Sequence, residues 1–592
     1  MRIFSVGYSY FNQNRSRSNP SFKAADVNIL AQADQHGNIM SMPQVEQTIK
    51  NRAGKMFKNP EAKSTLNILA MPGDFVINPS KKGYITHPEY SNGDFQVKYL
   101  KELINITKNV VNGNNFEALY TPGNHDFDGG DKWLISNLVK LPMTTVMTNV
   151  NMEHSPLLKD YAKNNKNLVR SKILTVQDDK NPDLRHKVLF VGATIPTMDF
   201  YAPGLLEGTE FYGNNNKKDV KIQKEDMETS IASIRQVVDK FKKHHPKGAV
   251  VLMSHTGNTI SNMIREEIPN IDIILNGHDH EDTTVVNVAQ GTKGDTLQIT
   301  SSLGMDNEIL KSFNLHFDDN GNIDRRVSMQ TYSTRTVNME DLSKNRIYNM
   351  IQEDFAKDLV PLVENLDPDN ELTEFKYGKF IRWQNSHLLN YLSSALHGVV
   401  KNEFGGKYKD VTAVAVQTSG VRGGIKEGAT NLDLMKVFDG VSEDLSGLYI
   451  GKVSGKDLIG MIVENVRDNL GKDKRDRNTL LYWSNIQINR ELIDEILQGE
   501  SKAPFTDAII LRGEDKKFSE KIDLNKEYKI LLPNKYLVKT DIKYPNKIRK
   551  NFEPFGKTSD ELLRMALEHD KYKRMASEKV KEMRILDSRT DR

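Results

Sequence analysis

Four short segments of the chain carry the side chains best suited to bind metal ions. The segments are ADQHGN at 33–38, PGDF at 72–75, TPGNHDFDGG at 121–130, and SHTG at 254–257 followed by NGHDH at 276–280. Each follows an apolar run that is typical of a β-strand. Carboxylate oxygens and imidazole nitrogens suit Mn, Zn, Fe or Co, and the chain has no cysteine to offer a thiolate. The candidate ligands are Asp34, His36, Asp74, Asn124, His255, His278 and His280.

The pattern of these ligands predicts two cations rather than one. Two cations about 3.5–4 Å apart repel each other unless an anionic group bridges them. Asp74 is the candidate bridge because it follows the run LNILAMP and stands beside Gly73, whose missing side chain lets a cation approach. We expect one ion at Asp34, His36, Asp74 and His280, and the other at Asp74, Asn124, His255 and His278.

A further histidine in the third segment is a candidate catalytic residue. His125 is adjacent to a predicted ligand, so its ring can face the open side of the site. When protonated, it could stabilise negative charge that develops during the reaction, and Asp128 could orient its ring. Each motif alone is a weak signal, because Asn, Gly and Asp also occupy turns for backbone reasons. Four such motifs in succession, each after a strand-like run, favour a metal site over a structural role.

The four segments resemble the motifs of the calcineurin-like metallophosphoesterases, and within them the two-domain 5′-nucleotidase group. DQHGN resembles the family's D-x-H-G motif, PGD its GD motif and GNHDFDGG its GNH[ED]-x-D-x-G motif, while SHTG and GHDH resemble its last two. The resemblance covers roughly residues 27–580 and is more specific in the first half. It implies a dinuclear centre on the seven ligands above, with His125 and Asp128 as the catalytic pair.

The second half of the chain resembles the nucleotidase domain of this family in three segments, at 380–396, 413–438 and 531–545. The family's substrate-binding positions fall on Arg382, Gln417, Arg422, Phe438, Tyr536 and Asp541. Arginine would grip a phosphate or carboxylate, and the aromatic rings would stack a base. The segments also depart from the family: NGGGIR reads QTSGVR, PFGN is replaced by VFDGVSED, and VKTDI replaces the GGDG glycines. Salt bridges for the arginines and core packing for the aromatic residues therefore stay open as alternatives.

The order of apolar patterns predicts an α/β fold. Strands are expected at 27–33, 66–71, 116–121, 144–149, 187–193, 249–254, 271–276, 297–301 and 312–317, and helices at 43–56, 94–110, 222–244 and 259–267. Further helices are expected at 385–403, 455–469 and 559–585. The resemblance implies a four-layer α-β-β-α metallophosphoesterase sandwich followed by a smaller α/β C-terminal 5′-nucleotidase domain. We expect an N-terminal arm (1–26), a catalytic domain (27–340), a linker helix (341–371, with its helical pattern at 343–366) and a substrate-binding domain (372–592).

Length and composition restrict the remaining possibilities. A chain of 592 residues exceeds the roughly 250–300 residues of a single core. The 82 Lys and Arg residues nearly balance the 79 Asp and Glu residues, so no nucleic-acid partner is expected. No apolar run of about 18 residues predicts a transmembrane segment, and no signal peptide is readable. The latter favours the cytoplasm, whereas the resemblance implies an exported or surface protein; the compartment and the oligomeric state stay undecided.

The resemblance implies metal-dependent hydrolysis of phosphate esters, in the first place of 5′-nucleotides to nucleoside and phosphate. A 2′,3′-cyclic nucleotide or nucleotide-sugar phosphodiesterase is the alternative that the altered C-terminal segments keep open. A non-catalytic nucleotide- or metal-binding protein is a third hypothesis. The full ligand set, together with His125 and Asp128, argues against it.

Overall fold

The described chain forms two compact units that divide between Ile351 and Gln352. A computed structural model describes residues 23–75, 94–113, 115–127, 130–138, 140–196, 206, 208–212, 224–280, 282–291, 294–302, 309–323, 327–337, 339–362, 386–417, 421, 424–425, 427–434, 437–438, 447–468, 480–513, 517–537, 543–579 and 584–586. Residues 23–26 of the expected arm belong to the first strand, and the rest of that arm lies outside the described residues.

The first unit is built on two sheets. Its strands are β1 (Lys23–Ala31), β2 (Thr65–Pro72), β3 (Phe116–Thr121), β4 (Thr144–Val146), β5 (Leu168–Val169), β6 (Ser171–Gln177), β7 (Arg185–Thr194), β8 (Ala249–His255), β9 (Ile273–Asn276), β10 (Thr284–Gly291), β11 (Gly294–Ser302), β12 (Ile309–Asp318) and β13 (Ser328–Ser333). The seven-stranded sheet has the order β13-β12-β1-β2-β3-β4-β5, and the six-stranded sheet has the order β10-β11-β9-β8-β7-β6. All nine predicted strands are present.

The two sheets face each other across one hydrophobic core, and helices cover their outer faces. Alternate residues of β1, such as Val27 and Ile29, share this core with Phe190 of β7 and Val251 of β8. The helices are Met42–Met56, Asp94–Val110, Gly130–Leu138, Pro156–Asn164, Lys224–His244, Gly257–Glu267 and Arg346–Asp354. The first of them contacts β12 and β13, and Gly257–Glu267 contacts β9 and β11. The predicted four-layer α-β-β-α sandwich is confirmed.

Strand direction brings the metal-binding segments to one edge of each sheet. Strands β1, β2 and β3 are parallel neighbours, as are β7, β8 and β9. Strands β2 and β8 are buried along their whole length, which explains why β8 begins with the apolar run AVVLM and why β2 is apolar after Asn67. Because parallel strands end at the same edge, the loops that follow them meet there.

The second unit has two smaller sheets. Its strands are β14 (Ala413–Gln417), β15 (Gly447–Ser454), β16 (Leu481–Trp483), β17 (Ile486–Asn489), β18 (Ile509–Arg512), β19 (Phe518–Lys521), β20 (Glu527–Pro533), β21 (Phe552–Thr558) and β22 (Ile585–Leu586). The sheet orders are β16-β14-β20-β15-β21 and β19-β18-β17-β22. Its helices are His387–Glu403, Asn431–Leu434, Gly455–Arg467, Arg490–Gln498, Phe505–Ala508, Asn534–Leu537, Lys543–Ile548, Ser559–Leu567 and Asp570–Ser577. The 3-10 turns of the two units are Ile39–Ser41, His125–Phe127, Met152–His154, Thr334–Thr336, Met339–Lys344, Gly406–Tyr408 and Arg549–Asn551.

Two predicted helices differ from the observed ones. The helix expected over 343–366 spans Arg346–Asp354 and gives way to turns in which Phe355 and Asp358 are buried. The helix therefore ends at Asp354, where the burial of the following residues outweighs the helical pattern of the sequence. The helix expected over 559–585 is divided into Ser559–Leu567 and Asp570–Ser577, because both pieces pack against the same helix, His387–Glu403. Among the described helices, none is long and apolar enough to cross a membrane.

Candidate metal centre

Backbone pairing continues beyond the ends of β1 and β2 and fixes the first three ligands. The amide of Asp34 donates to the Gly73 carbonyl over 3.1 Å, and the amide of His36 donates to the Asp74 carbonyl over 2.9 Å. The His278 amide donates to both carboxylate oxygens of Asp34, over 2.9 and 3.1 Å. Hydrogen bonds donated by backbone amides therefore hold the loops that follow β1, β2 and β9 against one another.

The structure brings all seven predicted ligands together in two overlapping groups. One group contains Asp34, His36, Asp74 and His280, and the other contains Asp74, His255 and His278; within each group the ligand atoms lie within 4.8 Å of one another. The amide oxygen of Asn124 lies 2.9 Å from Nδ1 of His278, so Asn124 joins the second group. Asp74 is common to both groups.

One oxygen of Asp74 faces a histidine from each group. Its Oδ2 lies 3.3 Å from Nε2 of His36 and 3.0 Å from Nε2 of His255. Nδ1 of His255 lies 2.9 Å from the Pro72 carbonyl, and Nδ1 of His36 lies 3.0 Å from the Asp34 carbonyl. A carbonyl can only accept, so both Nδ1 atoms carry a proton, and each Nε2 that faces the carboxylate is left to bind either a second proton or a metal ion. A cation bound between the two buried Nε2 atoms and this carboxylate would satisfy all three groups.

The electrostatics of the site favour a positive charge beside Asp74. Burial opposes ionisation of this carboxyl, yet His255 and His125 hold its pKa well below the usual range. Burial likewise opposes protonation of His255, but Asp74 outweighs it and raises the pKa of His255 to about 10. Burial and the nearby His255 lower the pKa of His278 to about 3, so its ring is neutral and able to bind a metal. A cation that enters the site therefore competes with the proton on His255.

Three glycines allow the ligands to approach this closely. A Cβ on Gly73 would lie 2.2 Å from Nδ1 of His255, and a Cβ on Gly123 would lie 2.2 Å from Oδ1 of Asp74. A Cβ on Gly277 would lie 2.7 Å from the Pro72 carbonyl and 2.8 Å from Nδ1 of His255. These distances are too short for real Cβ contacts, so side chains at these positions would push the ligands apart.

Sequence reasoning missed Asp126, which organises the site without being a predicted ligand. This fully buried carboxylate accepts hydrogen bonds from the amides of Asp74 at 2.8 Å, Phe75 at 3.1 Å and Gly123 at 2.7 Å. It thus joins the loops after β2 and β3. An acidic side chain in a glycine-containing turn readily binds nearby amides, which is the signal that could have revealed it.

His125 lies beside the ligand cluster. Its amide donates to Oδ1 of Asp74 over 2.8 Å, and its ring centroid lies 5.3 Å from that of His36. His125 and His255 are buried, whereas His36, His278 and His280 are partly exposed. Asp128, its predicted partner, lies outside the described residues.

Two of the predicted substrate-binding residues lie at one edge of a sheet in the second unit. Gln417 ends β14, and Tyr536 lies in the helix that follows β20; these strands are parallel neighbours. Both side chains are buried, and among the described residues their polar atoms make no hydrogen bond. Phe438 is bridged to Val421 and, like Tyr536, belongs to the core of this unit. Their substrate roles stay predictions; Arg382, Arg422 and Asp541 lie outside the described residues.

Comparisons with known proteins agree with this fold. Residues 27–282 match the family model of calcineurin-like phosphoesterases. The solved structure of a 5′-nucleotidase precursor from Thermus thermophilus is 14% identical, with a TM-score of 0.59 and coverage of 95% of this chain and 97% of that chain. The sulfate thiohydrolase SoxB from the same genus is 14% identical, with a TM-score of 0.57 and coverage of 92% and 94%. Both likenesses show the fold alone.

A curated relative, Protein 5NUC from Lutzomyia longipalpis, is 25% identical over 158 residues, which are 27% of this chain and 23% of the relative. The sandwich and its gathered carboxylates and histidines define the class of the first unit, which is that of the metal-binding hydrolases. Residues 27–282 match the calcineurin-like phosphoesterase family, and the chain as a whole has the fold of the solved two-domain 5′-nucleotidase precursor.

Proposed function

We propose that the protein is a metal-dependent phosphomonoesterase that releases phosphate from 5′-nucleotides. The observation that carries this proposal is the single Asp74 oxygen that faces His36 on one side and His255 on the other. A shared carboxylate between two ligand groups suits a pair of divalent cations such as Mn, Zn, Fe or Co. When bound, such a pair polarises a phosphate ester and makes water a stronger nucleophile.

The residues of the chain would divide the remaining work among them. Asp34, Asp74 and the ligand histidines would hold the cations, and Asp126 would keep the loops after β2 and β3 in place. His125 would donate a proton to the leaving oxygen, since it is the histidine beside the cluster that belongs to neither ligand group. We propose further that the second unit recognises the substrate. Gln417 and Tyr536 support this, because their buried polar atoms make no hydrogen bond among the described residues and could bind a ligand.

The direct test is release of inorganic phosphate from AMP by the purified chain supplied with Mn²⁺ or Zn²⁺. We expect release that stops when EDTA is added and returns when the metal is restored. A panel of 2′,3′-cyclic nucleotides, nucleotide sugars and an aryl phosphate identifies the reaction class. Turnover of phosphodiesters alone would replace this proposal with the phosphodiesterase alternative. Absence of chelator-sensitive turnover on every compound would refute hydrolysis and leave the non-catalytic hypothesis.

A further inference from the structure

The loop between β9 and β10 supplies one ligand to each of the two groups. His278 belongs to the group with His255, whereas His280 belongs to the group with Asp34 and His36. Both loop histidines have positive φ angles, 85° and 58°, which side-chain-bearing residues rarely adopt. A conformation of this kind persists only where its surroundings hold it. The contacts of the loop therefore decide where both ligands lie.

The first anchor of the loop is Asp279, which lies between the two histidines. Its Oδ2 accepts a hydrogen bond from the amide of Asn258, in the first turn of the helix Gly257–Glu267. The residue that precedes this helix, Thr256, makes no side-chain cap, so Asp279 from the neighbouring loop binds a first-turn amide in its place. Gly257 has φ +80°, and a Cβ on it would lie 2.9 Å from Oδ1 of Asp279. The carboxylate is thus packed against the start of the helix, two residues after His255.

The second anchor is Lys311, whose fully buried side chain reaches the loop from β12. Its Nζ lies 2.7 Å from Oδ1 of Asp282 and donates to the Thr283 carbonyl over 3.4 Å and to Oγ1 of Thr284 over 3.3 Å. Lys311 is paired in register with Ala31, at the end of the strand that leads to Asp34. The segment that follows His280 is therefore tied to the element that leads into the first ligand group.

We propose that Asp279 and Lys311 are positioning residues that tune the two metal sites separately. Asp279 fixes His278 relative to His255, and Lys311 fixes His280 relative to Asp34. The inference rests on the dinuclear centre of the proposed function. Loss of the Asp279 anchor weakens binding of the ion at His255 and His278, and loss of the Lys311 anchor weakens binding of the ion at Asp34 and His280. Groups bonded directly to a ligand change metal affinity by about 10- to 100-fold, so we expect these anchors, which act through the loop backbone, to change it by about 10-fold.

The test is calorimetric titration of the metal-free full-length protein with Mn²⁺, combined with electron paramagnetic resonance of the bound ions. His255→Ala and His280→Ala each remove one ligand, so they identify which binding step belongs to which group. We expect Asp279→Ala to weaken the step that His255→Ala weakens, and Lys311→Met to weaken the step that His280→Ala weakens. Asp279→Asn and Lys311→Arg should restore part of the affinity. Should Lys311→Met fail to fold, Asp282→Ala breaks the same ion pair from its exposed side.

Two control variants separate positioning from general loss of stability. Ser454→Ala removes the cap of a helix in the second unit, and Lys180→Met removes an exposed ion pair with Asp319. Neither should change either binding step. If wild type binds fewer than two Mn²⁺ ions, the dinuclear centre and this inference both fail. If wild type binds two and the anchor variants weaken both steps equally or neither step, the inference alone is overturned.

Discussion

The metal ligands hold backbone conformations that residues with side chains rarely adopt. Eight described non-glycine residues have positive φ; five of them are Asp34, His36, Asp74, His278 and His280, and the other three are asparagines. Each such conformation costs about 1–3 kcal/mol and is kept only because its neighbours determine it. The ligand loops are therefore strained, and their geometry depends on the glycines and carboxylates that surround them.

Gly73→Ala tests how much the site depends on close approach. Because the new Cβ would overlap the His255 ring and Gly73 has φ +86°, we expect the variant to lose metal affinity and to be less stable. Gly54→Ala is the control, since a Cβ there meets nothing within 4 Å. It lies inside a helix, so it should stabilise the chain by about 0.5–1 kcal/mol. Metal analysis and thermal unfolding measure both effects; unchanged metal content in Gly73→Ala would contradict the crowding argument.

His125→Ala tests the division between metal binding and proton transfer. The ring belongs to neither ligand group, so we expect full metal content and a loss of about 10²- to 10⁴-fold in kcat. Elemental analysis and steady-state rates on AMP are the measurements. His154→Ala, which removes an exposed histidine paired with Glu210, should leave the rate unchanged. Loss of a metal ion from His125→Ala would show that the residue is a ligand instead.

At the scale of residues, sequence could predict the ligands because their chemical types follow strand ends. Asp126 and Asp279 lie in the same motifs as the ligands, so residue type alone does not separate them from metal-binding carboxylates. Their roles follow from the backbone amides that donate to them: Gly123 donates to Asp126, and Asn258 donates to Asp279. That direction depends on the folded loops.

At the scale of elements, a row of three polar side chains links three neighbouring strands of the seven-stranded sheet. Asn28, Asn67 and Asn314 occupy neighbouring register positions on β1, β2 and β12. The side-chain Nδ2 of Asn28 donates to Oδ1 of Asn67 over 2.9 Å and to the Lys58 carbonyl over 2.8 Å. The Oδ1 of Asn28 accepts from Nδ2 of Asn314 over 2.7 Å. Hydrogen bonds between these side chains hold the strand register and the loop that follows the helix Met42–Met56.

Asn28→Leu should destabilise the first unit by roughly 3 kcal/mol, because each buried partner that loses its hydrogen bond costs about 1–3 kcal/mol. Urea unfolding followed by circular dichroism measures the change. Asn164→Leu is the matched control, since the Asn164 side chain is exposed and bonds only within its own helix turn among the described residues. Equal effects of the two substitutions would mean that the row contributes no specific stability.

The sequence could predict those elements whose pattern of apolar residues matches the way they are buried in the fold. Strands β2 and β8 are mostly apolar because both of their faces are buried, and the polar Asn67 of β2 is the exception that bonds to Asn28. Strand β13 escaped prediction because its residues are mostly exposed and carry little alternation. The helix Pro156–Asn164 buries only Leu158 and Tyr161, too few positions to mark a helical face.

At the scale of the whole molecule, the two units have separate hydrophobic cores. The ligand groups belong entirely to the first unit. A cation that binds only the folded site stabilises that unit by about 2.7 kcal/mol at 100 times its dissociation constant. We therefore expect two calorimetric transitions, of which Mn²⁺ raises only the one that Asn28→Leu lowers. A uniform shift of both transitions would show that the units unfold together.

The second unit should respond to pH through His397. The ring is buried, with Nε2 3.0 Å from the Val411 carbonyl and Nδ1 2.9 Å from Oγ of Ser484. Burial lowers its pKa to about 3, whereas the unfolded chain has the ordinary value of 6.5. The unfolded state therefore binds the proton first as the pH falls. The stability contributed by the neutral ring is complete above pH 6.5 and decreases progressively towards pH 3.

Between pH 7 and pH 5 this single group should cost the second unit about 2 kcal/mol. Calorimetry at the two pH values measures it as a lowered midpoint of the transition that Mn²⁺ leaves unchanged. His397→Gln should remove most of that pH dependence, because glutamine does not titrate. The exposed His569 is the control, and His569→Gln should leave the dependence intact. If His397→Gln keeps the wild-type slope, other groups carry the acid sensitivity, because a neutral side chain at position 397 takes up no proton.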